Sequence, residues 1–242
     1  MEIIPGLRYR ESDNKILANG EELSASIRRF SELKMVLKKP NELKSDGIAY
    51  YMFRDLPPLR ESWARFDITV IPPWKVGGEF AKTKGHYHNS PENMPPYPEI
   101  YQVHEGKAFY LLQKPSAKEH EILDFIVVEA EPGDVVVVPP GYGHVTVNPS
   151  ETTLIMSNIV FREVRSFYGP FERLRGAAYY YTDEGFVPNR RYSHIPRIRF
   201  EKPIDRSEPL VLDFLNNEDN YSWLVKTNEA CEKGFLGVYC GT

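Results

Sequence analysis

GDVVVVPPGYGHVTVN, residues 133–148, carries a strand, a turn and a second strand in one short stretch. The four valines after Asp134 form an apolar run, which suits a strand covered on both faces. Pro139, Pro140 and Gly141 stop that strand in a tight turn. The chain then resumes as HVTVN, which fixes His144 at the start of the returning strand.

Outward from this stretch the same texture repeats. ARFDITVI, KAFYLLQ, EILDFIVVEA and TTLIMSNIVF are short runs rich in β-branched and aromatic residues, with Pro and Gly between them. An antiparallel all-β sandwich or barrel follows, with Tyr179 to Tyr181 adding a further strand. Residues 21–37, EELSASIRRFSELKMVL, space Leu23, Ile27, Phe30, Leu33 and Leu37 at helical intervals, so a covering helix is expected there. RRYSHIPRIRFEKPIDRSEPL reads as an irregular arm, and PLVLDFLNNEDNYSWLV as a C-terminal helix.

The 242 residues suffice for a sizeable core, and no repeat, low-complexity tract or composition break divides them. We expect a single domain over 1–242, with its core at about 48–182, the helical cover at 21–37 and the arm and helix over 183–242. A net charge of -4, with no long Lys/Arg stripe, argues against nucleic acid or an anionic membrane as a partner. The opening MEIIPGLRYRESDNK lacks a basic segment followed by an apolar run, and eighteen apolar residues never occur in succession. A cytoplasmic protein is expected. Cys231 and Cys240 are too few for a disulfide framework and read as free thiols.

The chemistry concentrates in TKGHYHNSPENMPPYPEIY, residues 83–101. On a strand, His86 and His88 share a face with Cα atoms about 6.5 to 7 Å apart, so both imidazoles can converge on one ion. Glu99 adds a hard anionic donor once the proline-rich loop has turned the chain back. His144 completes a set of three imidazoles and one carboxylate, which leaves one or two positions of a five- or six-coordinate ion open. His104, His120 and His194 have no such company and read as surface or hydrogen-bonding residues.

Gly133, Pro139, Gly141, His144 and Asn148 match the second cupin motif, G(X)5PXG(X)2H(X)3N, at every stated position. His86, His88, Glu99 and Gly106 follow the first motif, although ten residues separate His88 from Glu99 and no glycine stands six before His86. TKGHYH, PEIY, GKAFYLLQ and VVVVPPGYGHVTVN together resemble the cupin-type glucose-6-phosphate isomerases found mainly in archaea, a likeness running from about Asp67 to Tyr181.

That resemblance implies an all-β cupin double-stranded β-helix with peripheral N- and C-terminal helices, assembled as a homodimer. It implies one divalent metal held by His86, His88, Glu99 and His144, iron(II) in the cell with manganese, nickel or zinc as substitutes. It places the sugar phosphate near Thr69, Thr83, Gly85, Tyr97 and Tyr101, with Lys82 or Lys84 as sources of positive charge. Glu99 is then the first choice to carry a proton between C1 and C2 through an enediolate; Tyr101, a metal-bound water or a direct hydride shift are the alternatives. The sequence departs from the family at Ser166, where a substrate-contacting histidine is frequent, and Arg162 or Arg165 are the nearby residues able to compensate. Two other readings of the metal set stand beside this one: an iron-dependent cupin dioxygenase, and a non-catalytic sugar- or metal-binding cupin.

Overall fold

The computed structural model describes residues 1–206 and 208–230 of the chain. Two antiparallel sheets face each other across the site. The larger has the strand order Val135–Val138, Glu99–Glu105, Leu154–Phe161, Ala64–Ile71, Ile48–Phe53 and Ser26–Arg29. The smaller runs Gly143–Val147, Ala108–Pro115, Ile122–Ala130 and Arg199–Glu201, the last strand parallel to its neighbour. They meet where the rings of Tyr101 and Tyr110 lie 5.2 Å apart and where Tyr110 donates to the sulfur of Met156. This is the all-β cupin double-stranded β-helix.

All six β-rich runs read from the sequence are strands, as is Tyr179–Thr182. The four valines are fully buried; their strand pairs with Glu99–Glu105 and takes a further bridge from Ile204. Alternation along Ala64–Ile71 sends Phe66, Ile68 and Val70 to one face and Arg65, Asp67 and Thr69 to the other. The first three are buried apolar groups, whereas Arg65 and Thr69 line a cavity between the sheets.

The helix expected over 21–37 is confined to its second half. Ser26–Arg29 is instead a strand on the edge of the larger sheet, with Ile27 38% exposed. Helix begins at Phe30, where the Glu32 side chain accepts the Arg29 N–H, and passes into a 3-10 turn over Lys34–Val36. Of the proposed face only Leu33 and Leu37 are buried. The strand pairing of residues 26–29 outweighs a helical periodicity that rests on one residue per turn.

The C-terminal helix also splits. Leu210–Asn216 is α-helical and Glu218–Leu224 is 3-10, with Asn217 between them at φ -138° and ψ 42°. Asp213 draws this break together by accepting from Asn217 and from Arg206 at 2.7–3.0 Å and from the Tyr221 hydroxyl. Trp63 packs on Phe214 at 5.3 Å, and the Gln102 side chain accepts from Leu210 N–H while donating to the carbonyls of Gly133 and Glu208. The arm read as irregular contributes the Arg199–Glu201 strand. Residues 2–22 add a four-stranded sheet that the sequence reading had not identified. Cys231 and Cys240 lie outside the described residues.

Asn148, fully buried, closes the turn after the Gly143–Val147 strand. Its amide donates to Ile71 and Thr152 carbonyls at 3.0 and 2.7 Å, and its oxygen accepts from Ser150. Asn148→Ala leaves two carbonyls without this donor and is expected to cost about 2–4 kcal/mol. Urea denaturation checks this, and an unchanged midpoint would contradict it.

Candidate metal centre

Three separated segments bring the four candidate ligands together. Gly85 has φ +79°, and a Cβ there would stand 2.5 Å from Val145 Cγ2 and 3.2 Å from the His144 carbonyl. Glycine is therefore required by the approach of two strands. That approach lets His86 and His144 exchange backbone hydrogen bonds, His144 N–H to the His86 carbonyl at 3.0 Å and the reverse at 3.2 Å. Their rings end up 4.4 Å apart.

The next residues, Tyr87–His88, pair with Ser166–Phe167, and the chain returns to start the Glu99 strand at the edge of the same pocket. The result is a cluster in which one ligand atom from each of His86, His88, Glu99 and His144 lies within 4.8 Å of all the others. Nε2 of His86 and His88 are 3.1 Å apart. Glu99 Oε2 stands 3.3 Å from Nε2 of His88 and of His144.

The polar accounting of this cluster is incomplete in a way that fits a cation. Glu99 is 4% exposed, His88 8% and His144 2%, yet Glu99 Oε2 has no hydrogen-bond partner among the described residues. A buried carboxylate oxygen in that condition is costly without positive charge beside it. Burial opposes ionisation of Glu99, but the adjoining His144 and His88 rings prevail and hold its carboxyl well below the usual carboxylate range. Burial and the His144 and His88 charges push His86 well below its usual value, and burial likewise lowers His144. Neutral imidazoles are the form that binds metal.

His88 Nδ1 lies 2.8 Å from the Tyr97 carbonyl. A carbonyl only accepts, so Nδ1 carries the proton and Nε2 presents its lone pair to the cluster. Tyr101 Oη is 3.1 Å from His144 Nε2. Burial, then the Glu99 charge, raises the Tyr101 pKa well above its usual value. Its phenol is thus a hydrogen-bond donor at neutral pH.

The cluster opens into a cavity. Thr69, Thr83, Gly85, Tyr101 and Ser166 line it. Thr83 Oγ1 accepts the Thr146 N–H at 3.0 Å, which leaves its O–H to donate. Tyr97 does not line the cavity; its ring packs on Phe161 at 5.0 Å.

Neither lysine proposed as a source of charge is free to serve. Lys82 Nζ is buried 2.5 Å from both Glu79 and the Val36 carbonyl, and Lys84 Nζ is 2.6 Å from Glu172. Arg162 is committed to Asp55 and to four carbonyls of residues 59–64, and Arg165 is absent from the cavity lining. His104 is a hydrogen-bonding residue, 2.7 Å from Ser157 Oγ. Among the described residues, the cations that line the cavity are Arg54 and Arg65, with Asn158 also in its wall. Their signal in the sequence is the polar alternation Arg65, Asp67, Thr69 and a lone amide inside LIMSNIVF.

The family model for glucose-6-phosphate isomerase (GPI) matches residues 27–197, a span that contains the whole cluster and cavity lining. The chain belongs to the glucose-6-phosphate isomerase family. Among its relatives, the glucose-6-phosphate isomerase of Thermococcus litoralis is 32% identical over 155 residues, 62% of this chain and 76% of that one. That of Thermococcus kodakarensis is 35% identical over 147 residues, 59% and 72% of the two chains. Among solved structures, oxalate decarboxylase from Bacillus subtilis is similar over 48% of this chain and 27% of its own, at 17% identity and TM-score 0.34. A vicilin from Solanum melongena covers 51% and 31%, at 15% identity and TM-score 0.37. Among the described residues no helix is long and apolar enough to cross a membrane.

His88→Ala removes one of the four candidate ligands and leaves the Tyr97 carbonyl without its donor. Elemental analysis of the purified variant is expected to find well under one equivalent of divalent metal, and full stoichiometry would exclude His88 from the centre.

Proposed function

We propose that this chain is a metal-dependent aldose-ketose isomerase that interconverts glucose 6-phosphate and fructose 6-phosphate. The observation that carries the reading is the convergence of His86, His88 and His144 on a buried Glu99 oxygen that lacks a hydrogen bond, at the floor of an open cavity. Three imidazoles and a carboxylate suit iron(II), the metal proposed for the cell, and also manganese, nickel or zinc. A cation held there supplies Lewis-acid stabilisation for the negative charge of the enediolate.

The remaining roles fall to the chain's own side chains. Glu99, ionised and buried beside the reacting carbons, takes the proton from one and returns it to the other. Tyr101 donates a hydrogen bond at the same end. Thr69 and the free O–H of Thr83 offer donors to the phosphate, and Gly85 brings that wall close. Tyr97 acts through its carbonyl, by fixing the tautomer of His88.

A coupled assay with fructose 6-phosphate under anaerobic conditions tests the reading. Chelation is expected to abolish turnover and re-addition of one divalent metal to restore it; equal rates with and without chelator would overturn metal dependence. Glu99→Gln is expected to lower turnover by about 100-fold or more, beyond its loss of metal.

A homodimer in the cytoplasm belongs to the same reading. The Ser26–Arg29 strand ends the larger sheet with one edge free of a described partner, and pairing such edges between copies is a common remedy. Light scattering is expected to give twice the chain mass. A monomer at micromolar concentration would contradict it.

A further inference from the structure

The larger sheet sets its inward-facing residues in rows across the strands. Glu99, Val160 and Arg65 form one row, Tyr101, Asn158 and Asp67 the next, and Val103, Met156, Thr69 and Met52 a third. Thr69 and Arg65 are four residues apart on one strand, so their Cα atoms are separated by about 13 Å. Arg65 shares its row with Glu99, one strand intervening, at about 10 Å between Cα atoms. Val160, the residue between them, is short and apolar and lines the cavity with both. The cavity thus has a hydroxyl-lined end at Thr69 and a cationic flank beside Glu99.

Arg65 is held rather than free to swing. Its Nε lies 3.0 and 2.9 Å from the two oxygens of Asp67, a carboxylate only 3% exposed. Asp67 in turn accepts the Asp55 N–H at 2.8 Å and Arg54 Nη1 at 3.1 Å. This anchoring uses Nε alone. The two terminal nitrogens of Arg65 have no hydrogen-bond partner among the described residues, and the side chain borders the cavity. Two guanidinium groups against one carboxylate leave this flank with a net positive charge.

We propose that Arg65, oriented by Asp67, is a catalytic residue that contacts the C1–C2 end of the sugar phosphate and stabilises negative charge there. This rests on the isomerase reading above. It accounts for the loss of a frequent histidine at Ser166, which lines the same cavity: the donor to the reacting end comes from a different strand. A planar fork of N–H groups also suits two vicinal oxygens better than an ammonium would.

The test compares two ligands of equal length at equal metal loading: 6-phosphogluconate, anionic at C1, and sorbitol 6-phosphate, neutral there. Calorimetry is expected to show Arg65→Met weakening 6-phosphogluconate by roughly 10- to 100-fold, the range for a hydrogen bond to a charged group, with sorbitol 6-phosphate within about threefold of the unmodified protein. For fructose 6-phosphate, kcat is expected to fall by a similar factor with KM little changed, and Arg65→Lys to recover part of the loss. If Arg65→Met does not fold, Arg65→Lys carries the comparison, with a smaller drop in the same ratio. An unchanged ratio of the two affinities, or equal loss of both, overturns the role of Arg65 while isomerisation by the unmodified protein still stands. Absence of isomerisation by the unmodified protein with every divalent metal overturns the isomerase reading, and the catalytic role of Arg65 with it, whatever the binding ratio.

Discussion

A carboxylate oxygen buried without a hydrogen bond is among the costlier arrangements a folded chain can contain. Here it is surrounded by three imidazoles, and much of the local architecture serves to keep it so. The reciprocal backbone bonds between His86 and His144 set two of the rings, the Tyr97 carbonyl sets the third, and the strand pairing on both sides of Glu99 fixes the carboxylate. None of these contacts depends on an ion being bound. The protein side of the centre is therefore held by contacts of its own, which is the condition under which a polar site acts with little reorganisation.

The cavity inherits its order from the same sheet. A period of two along each strand and lateral registry between strands turn three short polar alternations into one lined wall. Asp67 shows why such a wall tolerates charge: its oxygens are shared among two arginines and a backbone N–H, so both cations sit beside a site that already holds several titratable groups.

Much of this was legible in the sequence, for identifiable reasons. The core strands announce themselves because β-branched runs bounded by Pro and Gly have few other uses, and the residues of the second motif around His144 have fixed spacing. The misreadings share a different cause. Residues 21–37 carry a helical periodicity, but the free edge of a sheet claimed Ser26–Arg29. Lys82 and Arg162 are cations near the right place in the chain whose charge is consumed locally, by Glu79 and by the carbonyls of residues 59–64. Tyr97 lies beside Glu99 in sequence, and its contribution comes from the backbone, which no side-chain pattern reports. Arg65 was missed because its relation to Glu99 exists only after three strands have been laid side by side, and that of Arg54 only after a fourth.

Gln102 follows Tyr101 directly, so the two point to opposite sides of the same strand. Inward lies the cavity; outward, one amide gathers Gly133, Glu208 and Leu210. The strand is thus both a wall of the cavity and the post to which the C-terminal segment is tethered. Because alternate positions answer to separate demands, the inward set is open to substitution over evolutionary time, and new specificities can be explored there without loosening the tether behind it.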